Sequence, residues 1–226
     1  MTRPSPPILH CSVELGLDGD TNMARDAALL ALAELGGVHA RVYTWDGPWV
    51  SLGRFQRPER ALRDHNAINW VVRPTGGKAV LHGHDVTVGF AANLRDLGMN
   101  DDEARRISTV YRAATAPLIA ALCNAGVPAV LAENTRHTRN AGHTADCFAH
   151  VSPNDIVDPA TGMKVCGCAL RVTEGAVLLQ ASVPTTRPLV DPATVFDQPS
   201  QVQADLKLSP EALAESLRTV LAAHNV

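Results

Sequence analysis

Two short stretches carry the residue types from which chemistry could be built. Arg73-Pro74-Thr75-Gly76-Gly77-Lys78-Ala79-Val80-Leu81-His82 reads as strand, glycine turn, strand. Its glycines permit φ > 0 or a close approach of backbone to ligand, so something is expected to be held against this turn. Gly162-Met163-Lys164-Val165-Cys166-Gly167-Cys168-Ala169 places one lysine in a strand-like run of small and apolar residues. A lone strand lysine most often lies on a solvent-exposed face. If buried, its ammonium is disfavoured by desolvation unless an anion or carbonyl oxygen compensates, and such a lysine usually serves a ligand. Gly167 beside it would admit a close approach.

Cys147 follows a polar segment and precedes Phe148. A free cysteine is most often a small buried hydrophobe. An ammonium nearby would raise its thiolate fraction and make it a nucleophile, which requires Cys147 and Lys164 to converge in space. His82, His84, His143 and His150 match no zinc spacing with a full ligand set, and one residue rather than two separates Cys166 from Cys168, so no metal site is expected. Asp85 and the pair Asp101-Asp102 read as turn and cap residues. The Gly76-Gly77 turn lacks the spacing of a Walker loop or a dinucleotide fingerprint.

The elements that must position these residues follow from periodicity. Asn22 is placed to cap a helix through Ala24, Ala27, Leu30, Ala31 and Leu35 that Gly36-Gly37 ends. Residues 41–45 and 49–54 alternate as strands around Asp46-Gly47-Pro48 and are expected to pair as a hairpin. With 69–73, 79–82 and 86–92 they read as one antiparallel sheet. A long helical stretch follows from Asp101 to Gly126, which Pro117 should bend or break. The polar segment 133–145 has the length of a binding loop. Strands are expected at 129–132, 147–151, 155–157, 164–172 and 176–183. A C-terminal helix over 207–225 takes Ser209 as cap and Pro210 at its first position. Helices interspersed with antiparallel strands make an α+β fold of mixed, largely antiparallel sheets with flanking helices.

At 226 residues the chain is read as one domain, with residues 1–7 as a loose proline-rich arm. Its 20 basic and 23 acidic residues leave a formal net charge of −3. With only 4% aromatics, that argues against electrostatic binding of nucleic acid or a membrane and against base stacking. Five cysteines, an odd number without disulfide-like regularity, suit a reducing compartment. The N-terminus has no apolar core of a signal peptide and no run reaches the length of a membrane span, so a cytoplasmic protein is expected.

Taken in order, several motifs resemble the lipoate–protein ligase, octanoyltransferase and biotin ligase superfamily, in its lipoate/octanoate branch. They are Asn22 with Met23, Ala24 and Asp26, Trp45 through Ser51-Leu52-Gly53-Arg54-Phe55-Gln56, and the stretch 73–82. Asp155-Ile156-Val157, Gly162-Met163-Lys164-Val165 with Gly167 and Ala169, and Leu179-Gln180 complete them. The resemblance covers roughly residues 20 to 185. It implies an acyl chain bound beside the glycine turn by Arg73, Thr75, Gly76, Gly77, Lys78, Ala79, His82, Gly167 and Ala169, with Lys164 on the acyl carbonyl.

Two reactions share that scaffold. Octanoyltransferases take octanoyl from acyl carrier protein through a cysteine thioester and need no cofactor, whereas ligases activate lipoate with ATP and Mg as an acyl-adenylate. Either forms an amide on the lysine of a lipoyl domain or of the glycine-cleavage carrier protein. Cys147 before Asp155-Ile156-Val157 looks like the nucleophile of the cysteine-dependent octanoyltransferases, with Cys147 and Lys164 as the catalytic pair. The chain also ends soon after the shared region, without room for the accessory domain of many ligases. In the ligase alternative, Lys78 and Arg73 are the phosphate contacts. Departures from the family pattern are Val72 in place of a first arginine, Val88-Gly89 in place of an aromatic-serine pair, and Cys168 where serine is common. They leave a third reading, a non-catalytic acyl- or carrier-binding paralogue.

Overall fold

The computed structural model describes residues 9–140, 142–200 and 205–223. The expected arm over 1–7 and the helical turn beyond Ala223 lie outside the described residues. In chain order the elements are β1 (Leu9–Leu17), α1 (Gly19–Leu35), β2 (Val38–Trp45), β3 (Trp49–Leu52), α2 (Pro58–Ala61), β4 (Asn69–Val72), β5 (Val80–Leu81) and β6 (Asp85–Asn93). They continue with α3 (Asp101–Ala104), α4 (Ile107–Asn124), β7 (Val130–Leu131), β8 (Ile156–Val157), β9 (Lys164–Val172), β10 (Ala176–Pro184), α5 (Pro192–Val195) and α6 (Pro210–Ala223).

Two sheets result, a large one in the order β1-β2-β6-β10-β9-β8-β7 and a small one in the order β4-β3-β5. β1 and β2 run parallel across the α1 crossover, and the other neighbours in the large sheet are antiparallel. The expected α+β class with mixed, mainly antiparallel sheets is therefore found. α4 and α6 cover one face of the large sheet through Val110, Ala114, Leu118, Leu122, Leu213, Leu217 and Leu221. On the other face, Leu29, Leu30 and Ala33 of α1 meet Ala91 and Leu178. The small sheet has its own core of Val50, Leu52, Ala79, Leu81 and Phe196. No helix among the described residues is long and apolar enough to cross a membrane.

Several local expectations are corrected. Asp18, not Asn22, caps α1, its carboxylate accepting the Thr21 N–H at 2.8 Å. Asn22 is instead buried and its side-chain carbonyl accepts from Arg41 at 2.8 Å. β2 and β3 do not pair as a hairpin, and 41–92 is not one antiparallel sheet. β2 lies between β1 and β6, while β3 pairs in parallel with β4 and antiparallel with β5. Alternation marks a strand's two faces and is silent about its neighbours. The helical break falls at Arg105-Arg106, and α4 runs on through Pro117. One lost backbone hydrogen bond is outweighed there by the buried face of Ala114, Pro117, Leu118, Ala121 and Leu122. Residues 147–150 form a turn rather than a strand, with Asp146 accepting the Phe148 N–H at 2.9 Å and Cys147 O accepting the His150 N–H at 3.3 Å, and Val151 makes a single antiparallel bridge to Arg139. α6 starts at Pro210 rather than 207, with Ser209 Oγ accepting from Ala212 N.

Candidate active site

Strand alternation places an apolar face and a polar face on opposite sides of the large sheet. Val42, Val88, Phe90, Leu179, Ala181 and Val183 point into the main core. Their neighbours Tyr43, Trp45, Thr87, Gln180 and Ser182 turn the other way and line a cavity against the small sheet. At the edge of that cavity the pairing of β8 with β9 slips. Ile156 pairs with Cys166 but Val157 pairs with Lys164, so Val165 is an extra residue on β9. This bulge flips the alternation, putting Lys164 on the same side as Gly167, three residues on. A Cβ built on Gly167 would stand 3.3 Å from Lys164 Cε and 3.4 Å from Cys147 Sγ.

Cys147 and Lys164 converge. Lys164 Nζ lies 3.3 Å from Cys147 Sγ and donates to the Cys147 carbonyl at 2.8 Å and the His150 carbonyl at 3.3 Å. Its counter-charge is Asp155, 3.0 Å away, and all but a few per cent of both side chains is buried. Burial by itself would favour the neutral amine, yet Cys147 and Asp155 hold the Lys164 pKa above the ordinary lysine range. Lys164 is thus a fixed cation. The Cys147 thiol is pushed up by burial and by Asp155, against Lys164 and Arg73. The resting group is a thiol beside an ammonium that stabilises any negative charge developing on it.

The glycine turn is held from beneath. Arg73 is buried and spends its guanidinium on Thr75 Oγ1, the Ser51 carbonyl at 2.8 Å, and the Gly76 and Lys78 carbonyls at 2.6 and 2.7 Å. Its position is that of a clamp on the turn. Thr75 Oγ1 donates to Gln180 Oε1 at 2.7 Å, and Gln180 in turn donates to Asp26. Asp26 also accepts from Arg41 and Tyr43, both at 2.8 Å. Gly77 has φ +89°, and Gly53 packs so closely beneath it that a Cβ there would meet the Gly77 carbonyl at 2.0 Å. Ala79 fixes the backbone of Cys147, its carbonyl accepting the Cys147 N–H and its N–H donating to the Ala145 carbonyl. Lys78 Nζ donates to the Thr144 carbonyl at 2.6 Å, tying the turn to the loop that carries Cys147.

Two cavities meet at Cys147 and share Gly77, Lys78 and Cys168 with it. The inner one is lined by Met23, Tyr43, Trp45, Val80, Ala169 and Ala181, with Arg73 and Gly167 also on its wall. The outer one is more open and carries the titratable side chains of Arg139, His150, Asp155, Lys164 and Tyr111 on its walls. His82 lies on the inner wall, stacked on Trp45 at 4.0 Å, with Nε2 2.8 Å from Ser51 Oγ and Nδ1 2.8 Å from Asp85. Asp85 is no turn residue. It is buried and accepts from His82, Ser182 and Thr87. Burial would raise it, but His82, with His84 and Ser182, holds it down to about 2.

Sequence reasoning singled out Cys147, Lys164 and the glycine turn, which the fold brings together, but assigned no role to Asp155, His150, Gln180, Asp26 or Tyr111. Asp155, Gln180 and Asp26 lay within the quoted motifs, so a signal existed for them; nothing in the sequence pointed to His150 or Tyr111. Among the described residues, no group of three or more His, Cys, Asp or Glu side chains is arranged to hold a metal.

Comparison with known proteins agrees with this architecture. A T. acidophilum protein solved with bound lipoic acid superposes with a TM-score of 0.69 at 20% identity, over 96% of this chain and 86% of that one, a likeness of fold. The octanoyltransferase LipM of Kyrpidia tusciae is 30% identical over 215 residues, 91% of this chain and 72% of that protein. The octanoyltransferase LipM of Carboxydothermus hydrogenoformans is 31% identical over 177 residues, 76% of this chain, and the match spans 61% of its length. Residues 18–212 match the family described as the lipoyl protein ligase A/B catalytic domain, and the chain belongs to that family.

Proposed function

We propose that the protein transfers octanoyl, or lipoyl, from a carrier thioester to the lysine of a lipoyl-domain acceptor through a thioester on Cys147. The observation that carries this reading is the position of Cys147 Sγ, where an apolar inner cavity meets a more open one bordered by charged side chains, 3.3 Å from the Lys164 ammonium. The acyl tail lies in the inner cavity and the carrier's arm arrives through the outer one. As Sγ attacks, negative charge builds first on sulfur and then on the carbonyl oxygen, and Lys164, held by Asp155, stabilises both. Collapse expels the carrier thiol, which takes the Cys147 proton. The acceptor amine then attacks the enzyme thioester from the outer side.

The donor is acyl carrier protein, and the acceptor is a lipoyl domain or the glycine-cleavage carrier protein. The described elements work as one catalytic domain in the cytoplasm, and the thioester route uses no cofactor. Adenylation with ATP and Mg would call on Arg73 for phosphate, yet its guanidinium is spent on the turn, which supports the thioester route. Intact-protein mass spectrometry after incubation with octanoyl-acyl carrier protein tests the reading. A hydroxylamine-sensitive octanoyl adduct is expected on the wild type and absent from Cys147→Ala; full transfer activity in Cys147→Ala would refute it.

A further inference from the structure

Strand register gives the inner cavity a direction. Gly167, beside Cys147 and Lys164, pairs with Ser182 on β10, Ser182 pairs with Thr87 on β6, and Thr87 pairs with Tyr43 on β2. All four residues line the cavity. An acyl chain whose carbonyl stands at Gly167 therefore runs across the strands, from β9 towards β2. Three inter-strand spacings amount to about 14 Å. Octanoyl spans about 9 Å from carbonyl carbon to methyl carbon at bonds of about 1.5 Å, so its end arrives between Thr87 and the side chains that stand on β2.

The floor suits methylene groups although it carries two hydroxyls. Ser182 and Thr87 both donate to Asp85, at 2.6 and 3.0 Å, and Thr87 accepts the Trp45 indole N–H at 2.9 Å. Their protons are committed to a carboxylate and not to a ligand. The neighbouring row, Ala169-Gln180-Gly89, is closed beyond Gln180, because Asp26 stands on Gly89 with Oδ1 2.5 Å from where a Cβ would be. The chain cannot turn aside there.

At the far end stand Tyr43, Trp45 and Met23, packed in one cluster. Two of them are fixed. Tyr43 donates to Asp26 at 2.8 Å, and the Arg41 guanidinium lies over its ring at 3.7 Å. Trp45 is held by Thr87 and by its stack on His82 at 4.0 Å. Met23 comes from α1, is buried and unbranched, and its sulfur meets the Gln180 amide nitrogen at 3.4 Å. A thioether on a flexible stem fills such a gap and yields when pushed. On the thioester reading, we propose that Met23 is the end-stop of the acyl channel and sets the length of chain that the enzyme accepts. Octanoyl fits short of it, and lipoyl is built on the same carbon chain; each further methylene must displace the methionine.

The test compares chain lengths. Octanoyl-, decanoyl- and dodecanoyl-acyl carrier protein are offered separately to wild type and Met23→Ala, and the rate of hydroxylamine-sensitive adduct formation is read by rapid-quench intact-mass spectrometry. One methylene in an apolar pocket discriminates by about 10-fold or more, so wild type should react with decanoyl slower than with octanoyl by at least that factor. Alanine removes Cγ, Sδ and Cε, room for about two methylenes at bonds of about 1.5 Å. The decanoyl-to-octanoyl rate ratio should therefore rise by about 10-fold or more, while dodecanoyl stays slow. Met23→Val, which shortens the side chain less, should give an intermediate ratio, and it carries the test if thermal unfolding shows that the alanine variant does not fold. Wild-type acylation as fast with dodecanoyl as with octanoyl, or an unchanged ratio in a folded variant, would overturn the assignment. A wild type that forms no adduct with any of the three donors would instead overturn the thioester reading on which it stands.

Discussion

Gly167→Ala offers a stringent test of the reacting geometry, because it separates folding from catalysis. Gly167 is absent from the positive-φ positions, so alanine suits its backbone. The new methyl would stand 3.3 Å from Lys164 Cε, 3.4 Å from Cys147 Sγ and 3.6 Å from Lys164 Nζ. Only the first contact is tight, and a methylene can yield by a few tenths of an ångström. That crowding costs about 1 kcal/mol, and replacing glycine inside a strand returns about 0.5–1 kcal/mol. The melting temperature is therefore expected to change little.

Catalysis has no such tolerance. The thioester carbon must approach Sγ to about 3–3.5 Å, with its oxygen toward the ammonium. The methyl would occupy that place. Displacing the carbonyl by about 1 Å costs on the order of 100-fold, or about 3 kcal/mol of barrier. The assay is the rate of octanoyl adduct formation by rapid-quench intact-mass spectrometry, alongside thermal unfolding. Acylation within about threefold of wild type would refute the placement of the acyl carbonyl between Cys147, Lys164 and Gly167.

Two further outcomes concern the frame of the site. Gly89→Ala would set a Cβ 2.5 Å from Asp26 Oδ1, which Arg41, Tyr43 and Gln180 hold in place; overpacking of about 2 kcal/mol should lower the melting temperature by about 4–8 °C, and an unchanged value would refute the rigidity of that network. Asp85→Asn should destabilise the protein at neutral pH by about 2 kcal/mol, because the Asp85 pKa falls from 3.8 to about 2 on folding. A depressed carboxylate contributes above its unfolded pKa and loses that contribution as pH falls through its folded one. Wild type and variant should thus converge between about pH 4 and pH 2 in urea unfolding, and a constant difference would show that Asp85 is not ionised in the fold.

The departures from the family pattern acquire physical meaning in the fold. Gly89 stands where a larger residue is common, and the space it leaves is filled by Asp26 and by the Arg41 stem. Val72, in place of an arginine, is 43% exposed on β4 and contributes nothing to the inner wall. Cys168 sits where the two cavities meet.

By itself the sequence determined the elements whose signals are local. Strands β9 and β10 are legible from mainly small and apolar runs bounded by turn residues, and α6 from Ser209-Pro210 at its start. Together with the glycine turn, the motif order was enough to single out Cys147 and Lys164 as the pair to look for, and the fold brings them within 3.3 Å. Only the tertiary structure decided what depends on partners. Strand alternation would have placed Lys164 beside Cys166, in the core; the one-residue bulge at Val165 set against β8 turns it toward Cys147 instead. Whether β2 pairs with β3 or with β6, whether Arg73 meets a ligand or its own turn, and whether Asp85 ends a turn or anchors His82 are likewise settled by residues far away in the chain. Local propensity is written in neighbouring residues, whereas register, burial and electrostatic partners are properties of surfaces that exist only once the sheets have closed on each other.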